Sequence, residues 1–514
     1  MFMKNKNKAS WHATCSIQPV RFSPDLRANA FPAFAFRRHG APKPAAPFYW
    51  PTLSGSHHPA RPRVWSRWWI AILVCCAGAA ALPAVAADSF ADAAGEVQAR
   101  TLSNGLQVIV WPDHRIPSVT LYNWVHVGSR NEAAGATGLA HFFEHMMFNG
   151  TATHGPGEFE RIMIGSGGGN NAHTMRDATV FQDWFPRTAL ETVLQLESDR
   201  FAHLAFVPAV VENERKVVYS ERRLRVDDSN PALLAEQVQA TAFMAHPYRI
   251  PVIGWPSDIL SWTIDDLQNF YHTYYVPNNC TLVIVGDVEP EALFALVEKY
   301  YGPIPRGAVP PQIHTVEPEQ MGERRLQLVR AAQNPLVQVS YHAVAAADPR
   351  QPALDLLQTI LTGGDAAWLY KALVEQRQLA VEIDSGWDEG FDPDLYDFFA
   401  TLPSGGSAVE FEQALADQLA GLLRDGVNEV QLARAKNQVE ASFWRGVSTI
   451  DGRAELLGQY AVLHGDYHLL FTAPAAFESV TAAQVLAVAR DVFKPLQRTT
   501  GELVPAAPSA SGEH

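Results

Sequence analysis

Two histidines and a glutamate lie close together in the segment His141-Phe142-Phe143-Glu144-His145. The surrounding residues are apolar and helix-like, so the two imidazoles project from one helix face about one turn apart. This spacing suits two nitrogen ligands on one Zn²⁺ ion. Glu144 shares that face, and its carboxylate can take a proton from a metal-bound water while the resulting hydroxide attacks a carbonyl. The segment therefore predicts metal-assisted hydrolysis.

A hydrolytic zinc site needs a third protein ligand and keeps one position for water. Glu214 and Glu221 are the candidates, because their spacing of seven places both on one face of a helix, two turns apart. One would be the ligand and the other a supporting carboxylate, and the spacing leaves open which. The alternative interpretation is a chance H-x-x-E-H pattern beside a solvated acidic helix.

Composition indicates the class of protein in which these residues act. The chain has 514 residues, of which 47% are hydrophobic and 18% charged, so it is expected to form two to four globular domains. This composition excludes disorder for most of the chain. Only one apolar run approaches the length needed to span a bilayer, which excludes a polytopic membrane protein. Beyond residue 87 the chain carries 29 basic and 53 acidic residues. So acidic a body would repel a phosphate backbone, which argues against nucleic acid as a partner.

Residues 1–87 are predicted to be an N-terminal leader with a signal peptide. Three arginines precede an apolar h-region at 68–82, and Ala84-Val85-Ala86 follows as a cleavage site. The expected location is therefore the periplasm or the exterior of the cell. If the leader is not cleaved, it would anchor the chain in the membrane and be its only membrane contact. Only Cys280 remains beyond the leader, so the mature chain can form no internal disulfide.

The order of predicted elements repeats along the mature chain, which predicts a duplicated α+β unit. Each half is expected to be an antiparallel or mixed sheet covered by helices, and the two halves would face each other across a cleft. The predicted domains are a zinc-binding domain at 88–305, a Pro/Gly-rich linker at 306–322, a homologous domain at 323–505 and a flexible tail at 506–514. The predicted strands are 106–111, 119–127, 179–186, 281–285, 325–329, 337–342 and 397–402, and the predicted helices are 139–148, 189–205, 208–225, 352–361, 368–376, 409–423 and 430–444.

The segment Gly138–Thr151, which reads Gly-Leu-Ala-His-Phe-Phe-Glu-His-Met-Met-Phe-Asn-Gly-Thr, resembles the core motif of the insulinase/pitrilysin zinc peptidases. That family includes the mitochondrial processing peptidases. The segment from Glu214 to Glu221 is similar to the family's distal glutamate motif, and the whole resemblance spans about residues 97–500. It implies a zinc endopeptidase that cuts peptides or unfolded polypeptide segments.

The resemblance also implies roles for individual residues. His141, His145 and Glu221 would be the ligands of one Zn²⁺ ion per chain, Glu144 the general base and Glu214 a supporting carboxylate behind the ligands.

A further segment, Asn171-Ala172-His173-Thr174, resembles the family's substrate-binding edge strand. In that arrangement an extended peptide lies against the edge as an added strand, held by main-chain hydrogen bonds.

One departure from the family pattern concerns the second half. Self-sufficient members carry an arginine and a tyrosine seven residues apart there, and the matching positions here are Val374 and Val381. Valine cannot donate a hydrogen bond to a developing oxyanion. We therefore expect a hetero-oligomer with a homologous chain that supplies the Arg/Tyr pair, or else a homodimer. The alternative is a catalytically silent structural or peptide-binding subunit, against which the presence of Glu144 argues.

Overall fold

Eleven strands form two sheets in the part of the chain that the structure, a computed structural model, describes, which is residues 90–506. The strands are β1 Gln98–Thr101, β2 Gln107–Pro112, β3 Ser118–Val125, β4 Gly169–Thr174, β5 Thr179–Pro186, β6 Cys280–Gly286, β7 Arg324–Arg330, β8 Leu336–His342, β9 Glu382–Trp387, β10 Leu395–Thr401 and β11 Arg498–Pro505.

The two sheets share one strand order. The first runs β1-β2-β6-β3-β5-β4 and the second runs β7-β11-β8-β10-β9. The pairs β2–β6 and β7–β11 are parallel and every other pair in the two sheets is antiparallel. Apart from β1, each strand of the first sheet thus has an equivalent in the second. The predicted duplicated α+β fold is confirmed.

Helices cover both sheets. They are α1 Leu139–Met146, α2 Glu158–Gly165, α3 Leu190–His203, α4 Pro208–Arg222, α5 Asn230–Ala242, α6 Pro256–Ile259, α7 Ile264–Tyr274, α8 Pro290–Tyr301, α9 Gln351–Thr362, α10 Ala408–Asp425, α11 Glu429–Gly446, α12 Ile450–Val462, α13 Leu469–Ser479 and α14 Ala482–Val492. Two π-helical turns, Arg223–Asp227 and Tyr370–Gln376, and six short 3-10 helices lie among these elements in residues 90–506. The first π-helical turn continues α4, so the helix predicted at 208–225 changes its winding before it ends.

The central strand β6 shows why these residues form a sheet covered on both faces. All seven of its residues are buried, which matches its apolar run Leu282–Val285. Leu282 and Ile284 belong to the core beneath the helices of the first half, whereas Val283 and Val285 belong to a core shared with residues of the second half. The alternation of side chains along the strand therefore splits one apolar run between two cores.

One helix from each half packs on the sheet of the other half. Helix α12, from the second half, packs on β3 and β6 of the first sheet. Helix α5, from the first half, packs on β7, β8 and β11, where Leu234 and Val238 meet Leu336 and Leu503. Each sheet therefore has an apolar face that is buried only when the other half is folded against it.

The contact between α12 and the first sheet is close at Gly458. A Cβ at this position would lie 2.1 Å from the indole nitrogen of Trp124 on β3. We expect Gly458→Ala to lower the free energy of unfolding by about 1–3 kcal/mol, because α12 must move off the sheet to admit the methyl group. Denaturant unfolding of the full chain measures this.

The matched control is Gly421→Ala on α10, where a Cβ would have only Arg424 within 4 Å. Alanine at an open helical position should stabilise by up to about 1 kcal/mol. The same effect at both glycines would contradict the close packing of α12 on Trp124.

Several sequence predictions need qualification. Strands β1, β9 and β11 were not predicted, because each contains several polar or charged residues and no long apolar run. The segment 305–323 contains neither helix nor strand, and Glu317 within it accepts the amides of Met244, Ala245 and His246.

The leader prediction lies outside the described residues, and the domain boundaries stay a prediction.

No single helix within residues 90–506 is long and apolar enough to cross a bilayer. Helices α13 and α14 reach that length and hydropathy only together, and the chain bends by 100° between them.

Candidate metal centre

Helix α1 presents the two histidines, and its start is tightly defined. Gly138 precedes it with a φ of +86°, and a Cβ there would lie 2.6 Å from the carbonyl oxygen of Ile253. The buried carboxylate of Glu132 accepts the amides of Gly138 and Ala140 at 2.6 and 2.7 Å, which satisfies donors that the first turn leaves free. Phe142 on α1 is fully buried against the core. The orientation of the helix is therefore set by both its cap and its buried side.

Helices α1 and α4 bring three of the predicted residues together. Donor atoms of His141, His145 and Glu221 all lie within 4.8 Å of one another, the only such metal-capable group among residues 90–506. Glu221 Oε2 lies 3.2 Å from His145 Nε2 and 3.7 Å from His141 Nε2. Tetrahedral zinc with bonds near 2 Å places its ligand atoms about 3.3 Å apart. These residues therefore fit a zinc ion without rearrangement of the backbone.

Polar partners hold the candidate ligands from behind. Glu214 Oε1 lies 2.8 Å from His145 Nδ1, which leaves Nε2 of that ring directed at Glu221. Asn149 donates to the other oxygen of Glu214 at 2.9 Å. Arg225, on the π-helical turn after α4, lies 2.8 Å from Glu221 Oε1. Glu214 thus lies behind the ring of His145, and its supporting role stays a prediction.

Asn149 and Arg225 were not predicted as parts of the site. Asn149 stands within the quoted motif, so its position close to the histidines was a usable signal. Arg225 had no such signal, because the change of helical winding after α4 decides where its guanidinium lies.

Glu144 lies beside the candidate ligands. Thr174 Oγ1, at the end of β4, donates to Glu144 Oε2 at 2.6 Å. Burial raises the pKa of Glu144, although the bond from Thr174 opposes this. A carboxylate with a raised pKa is a better proton acceptor, which suits the base role.

The pKa values of His141 and His145 are shifted in opposite directions. Burial lowers the pKa of His141 to about 4. Burial also disfavours the charged form of His145, but hydrogen bonds to Glu214 and Glu221 prevail and raise its pKa to about 9. Although burial opposes it, the same hydrogen bond and the nearby imidazoles lower the pKa of Glu221. His145 therefore carries a proton between the ionised Glu214 and Glu221, whereas His141 is uncharged, and a divalent cation bound at His145 Nε2 would take the place of that proton.

The predicted substrate segment forms β4, an edge of the first sheet, since β4 pairs only with β5 among the described strands. Thr174 reaches Glu144, whereas Asn171 is exposed and lies in register with Gln182. His173 packs edge-on to Trp124 at 6.5 Å between ring centres, on the opposite face of the sheet from Thr174. Ala172 is half-buried against the first core. Only Thr174 of this segment contacts the candidate centre.

The two valines at the divergent positions have apolar or exposed surroundings. Val374, on the second π-helical turn, packs against the core of the second half. The side chain of Val381 is 58% exposed, just before β9. Neither side chain can donate a hydrogen bond.

Comparison with known proteins defines the class. Residues 108–254 match the family model described as insulinase (peptidase family M16), and residues 261–439 match that of the peptidase M16 inactive domain. Together with the fold, these matches show that the chain belongs to the insulinase family, M16. His141, Glu144, His145 and Glu221 all lie within the first match, not the second.

Relatives and solved structures agree with this assignment. The chain is 30% identical to the zinc protease PqqE of Helicobacter pylori over 416 residues, which cover 79% of this chain and 92% of the relative. The crystal structure of a protease from Helicobacter pylori is 29% identical, with a TM-score of 0.77 over 80% of this chain and 99% of that one. The periplasmic protease PqqL of Escherichia coli shares the fold at 19% identity, with a TM-score of 0.67 over 80% of this chain and 47% of that chain.

Proposed function

We propose that the chain is the zinc-binding subunit of an endopeptidase that hydrolyses peptides or unfolded polypeptide segments. The observation that carries the proposal is the convergence of His141, His145 and Glu221 with Glu144 beside them. Zinc held by these three residues would supply Lewis acidity, which makes a water molecule acidic near neutral pH and polarises a carbonyl.

The residues of the chain would divide the remaining work. Glu144 accepts the proton of the attacking water and returns it to the leaving amine. The hydroxyl of Thr174 fixes the direction of that carboxylate. Glu214 holds the ring of His145 so that Nε2 faces the ion, and Asn149 holds Glu214 in turn.

The edge strand β4 supports a peptide as the substrate. Its outer side pairs with no other strand of residues 90–506, so an extended peptide can add to the sheet there. Thr174 joins this edge to Glu144, so the strand would carry the scissile bond to the candidate base. Main-chain pairing accepts many sequences, which suits peptides or unfolded segments as substrates.

A partner chain is part of the proposal. The second half offers Val374 and Val381 where self-sufficient relatives of the type described above would place an arginine and a tyrosine. A homologue with that pair would complete the site; the alternative assembly is a homodimer, in which the second copy carries the same two valines. We also propose export through the predicted leader, which is consistent with the fold shared with a periplasmic protease.

The test is to purify the full mature chain, alone and with a homologue encoded beside it that carries the Arg/Tyr pair, and to measure cleavage of an unfolded peptide. We expect this chain to contain zinc. We also expect the cleavage rate to rise at least about a hundredfold when the partner is added, because removal of one oxyanion-stabilising donor typically lowers kcat by that factor or more. Full activity of the isolated chain would contradict the need for a partner. Zinc-loaded complexes without cleavage would favour the silent subunit.

A further inference from the structure

The turn that follows the substrate edge is held by the second half of the chain. This turn, residues 175–178, connects β4 to β5, and the loop 388–394 connects β9 to β10. Because β4 and β5 are the equivalents of β9 and β10, the two connections occupy equivalent places in the two sheets. They meet each other in the structure, and the loop 388–394 carries four acidic residues.

Arg176 and Asp177 at the tip of the turn make the contacts. Arg176 Nη1 lies 2.7 Å from Asp388 Oδ2 and 2.9 Å from Asp394 Oδ2. Asp177 Oδ2 accepts the backbone amide of Phe391 at 2.9 Å. Both turn residues are therefore bound directly to the loop of the other half.

Arg130 links a third segment to the same contact. Its guanidinium donates to Asp177 at 2.9 Å and to Asp392 at 2.6 Å. Tyr248 donates its hydroxyl to Asp177 at 2.6 Å and accepts the amide of Asp392 at 3.1 Å. Since the side chains of Arg130 and Asp177 are at most 9% exposed, these charges depend on each other for compensation.

The turn connects directly to the candidate centre. Thr174, which holds Glu144, is the residue immediately before it. The amide of Arg130 donates to the carbonyl of Arg176 at 3.0 Å, and Glu132, two residues further on, caps α1. Displacement of the turn would therefore move the substrate edge relative to the helix that bears the histidines.

We propose that the loop 388–394 positions β4 for an extended peptide, with Asp388 and Asp392 as its positioning residues. The inference rests on the proposed peptidase function and assigns a role in it to the second half. It does not involve the positions of Val374 and Val381, so the loop acts whether or not a partner chain is bound.

The test uses the full mature chain with Asp388→Asn and Asp392→Asn combined. Both side chains are partly exposed, 74% and 38%, so the amides should be tolerated by the fold. Glu375→Gln is the matched control, because it removes an exposed ion pair with Lys371 that lies wholly within the second half. The double Asp→Glu variant tests whether restored charge rescues the wild-type behaviour.

Two measurements decide the outcome. Hydrogen exchange of the amides at 169–178 should become about tenfold faster in the Asn variant, with zinc content unchanged. In a Glu144→Gln background, the Kd of a fluorescein-labelled peptide that is unfolded in water should rise about fivefold or more. The control Glu375→Gln should match the unsubstituted chain in both measurements. The double Asp→Glu variant should recover most of the lost exchange protection and peptide affinity.

Unchanged exchange in the Asn variant would overturn the proposal, and so would faster exchange with unchanged peptide affinity. Loss of zinc together with affinity would also overturn it, because the defect would then lie in the metal helix. A partner-completed Glu144→Gln enzyme that holds zinc but binds no peptide would contradict the proposed function, while the exchange data would still decide whether the loop fixes β4.

Discussion

Glu144→Gln is expected to lower peptide hydrolysis by about a thousandfold while zinc stays bound, since a positioned general base contributes roughly 10²–10⁴-fold. Glutamine keeps the size of the side chain and can still accept the hydroxyl of Thr174, but it cannot take a proton from water. Glu144 is not among the three residues whose donor atoms converge, so the affinity for the metal should change little.

The measurement is kcat of the partner-completed enzyme on an unfolded peptide, with metal content determined on the same preparation. Glu160→Gln, an exposed position on the neighbouring helix α2, is the control and should retain the parent rate. Hydrolysis that survives in Glu144→Gln would show that another group accepts the proton. Loss of zinc in this variant would instead make Glu144 part of the metal site.

Glu221→Gln is expected to have the largest effect on metal binding. Its carboxylate is the one acidic donor in the convergent group, and it lies 3.2 Å from His145 Nε2. A neutral amide at this position removes the negative charge that compensates the cation. Zinc affinity should fall by well over ~100-fold, which is the loss typical when a residue that only hydrogen-bonds to a ligand is removed. The rate of hydrolysis should fall with it.

Two further Glu→Gln variants on α4 should lower zinc affinity less than Glu221→Gln does. Glu214→Gln should weaken zinc binding by only about 10–100-fold, because Glu214 acts through the ring of His145. Glu212→Gln should leave zinc binding unchanged, since the half-exposed side chain of Glu212 pairs with Arg215 and Lys216. Competition with a chelator of known affinity measures all three. A larger loss for Glu214→Gln than for Glu221→Gln would exchange the roles of the two glutamates.

The second half of the chain contacts the sheet that lies beside the candidate site. Helix α12 lies on the sheet that carries the substrate edge, and the loop 388–394 holds the turn at the end of that edge. Gln182 on β5 also donates to Glu455 of α12 at 3.1 Å. The second half therefore supports the first at its sheet face and at its edge, although none of the proposed zinc ligands lies in it.

Much of the candidate site was predictable because it depends on helical periodicity. The spacings of four between His141 and His145 and of seven between Glu214 and Glu221 each put two side chains on one helix face wherever the helix lies. The duplicated order of strands was predictable for a similar reason, since buried strands such as β6 read as apolar runs. The missed strands β1 and β9 lie at sheet edges, and β11 mixes buried threonines with few apolar residues, so none of the three forms a long apolar run.

What the sequence by itself determined is thus the duplicated α+β architecture and the candidate site residues, namely two histidines and a glutamate on one helix and two glutamates on another, because these follow from local spacing and apolar patterning. Only the tertiary structure decided that Glu221 faces both imidazoles, that Thr174 donates to Glu144, and that a loop of the second half contacts the turn after the edge strand β4. These contacts join residues far apart in the chain, and no local period relates them. Their geometry depends on how two interlocked sheets pack, which is a property of the whole fold.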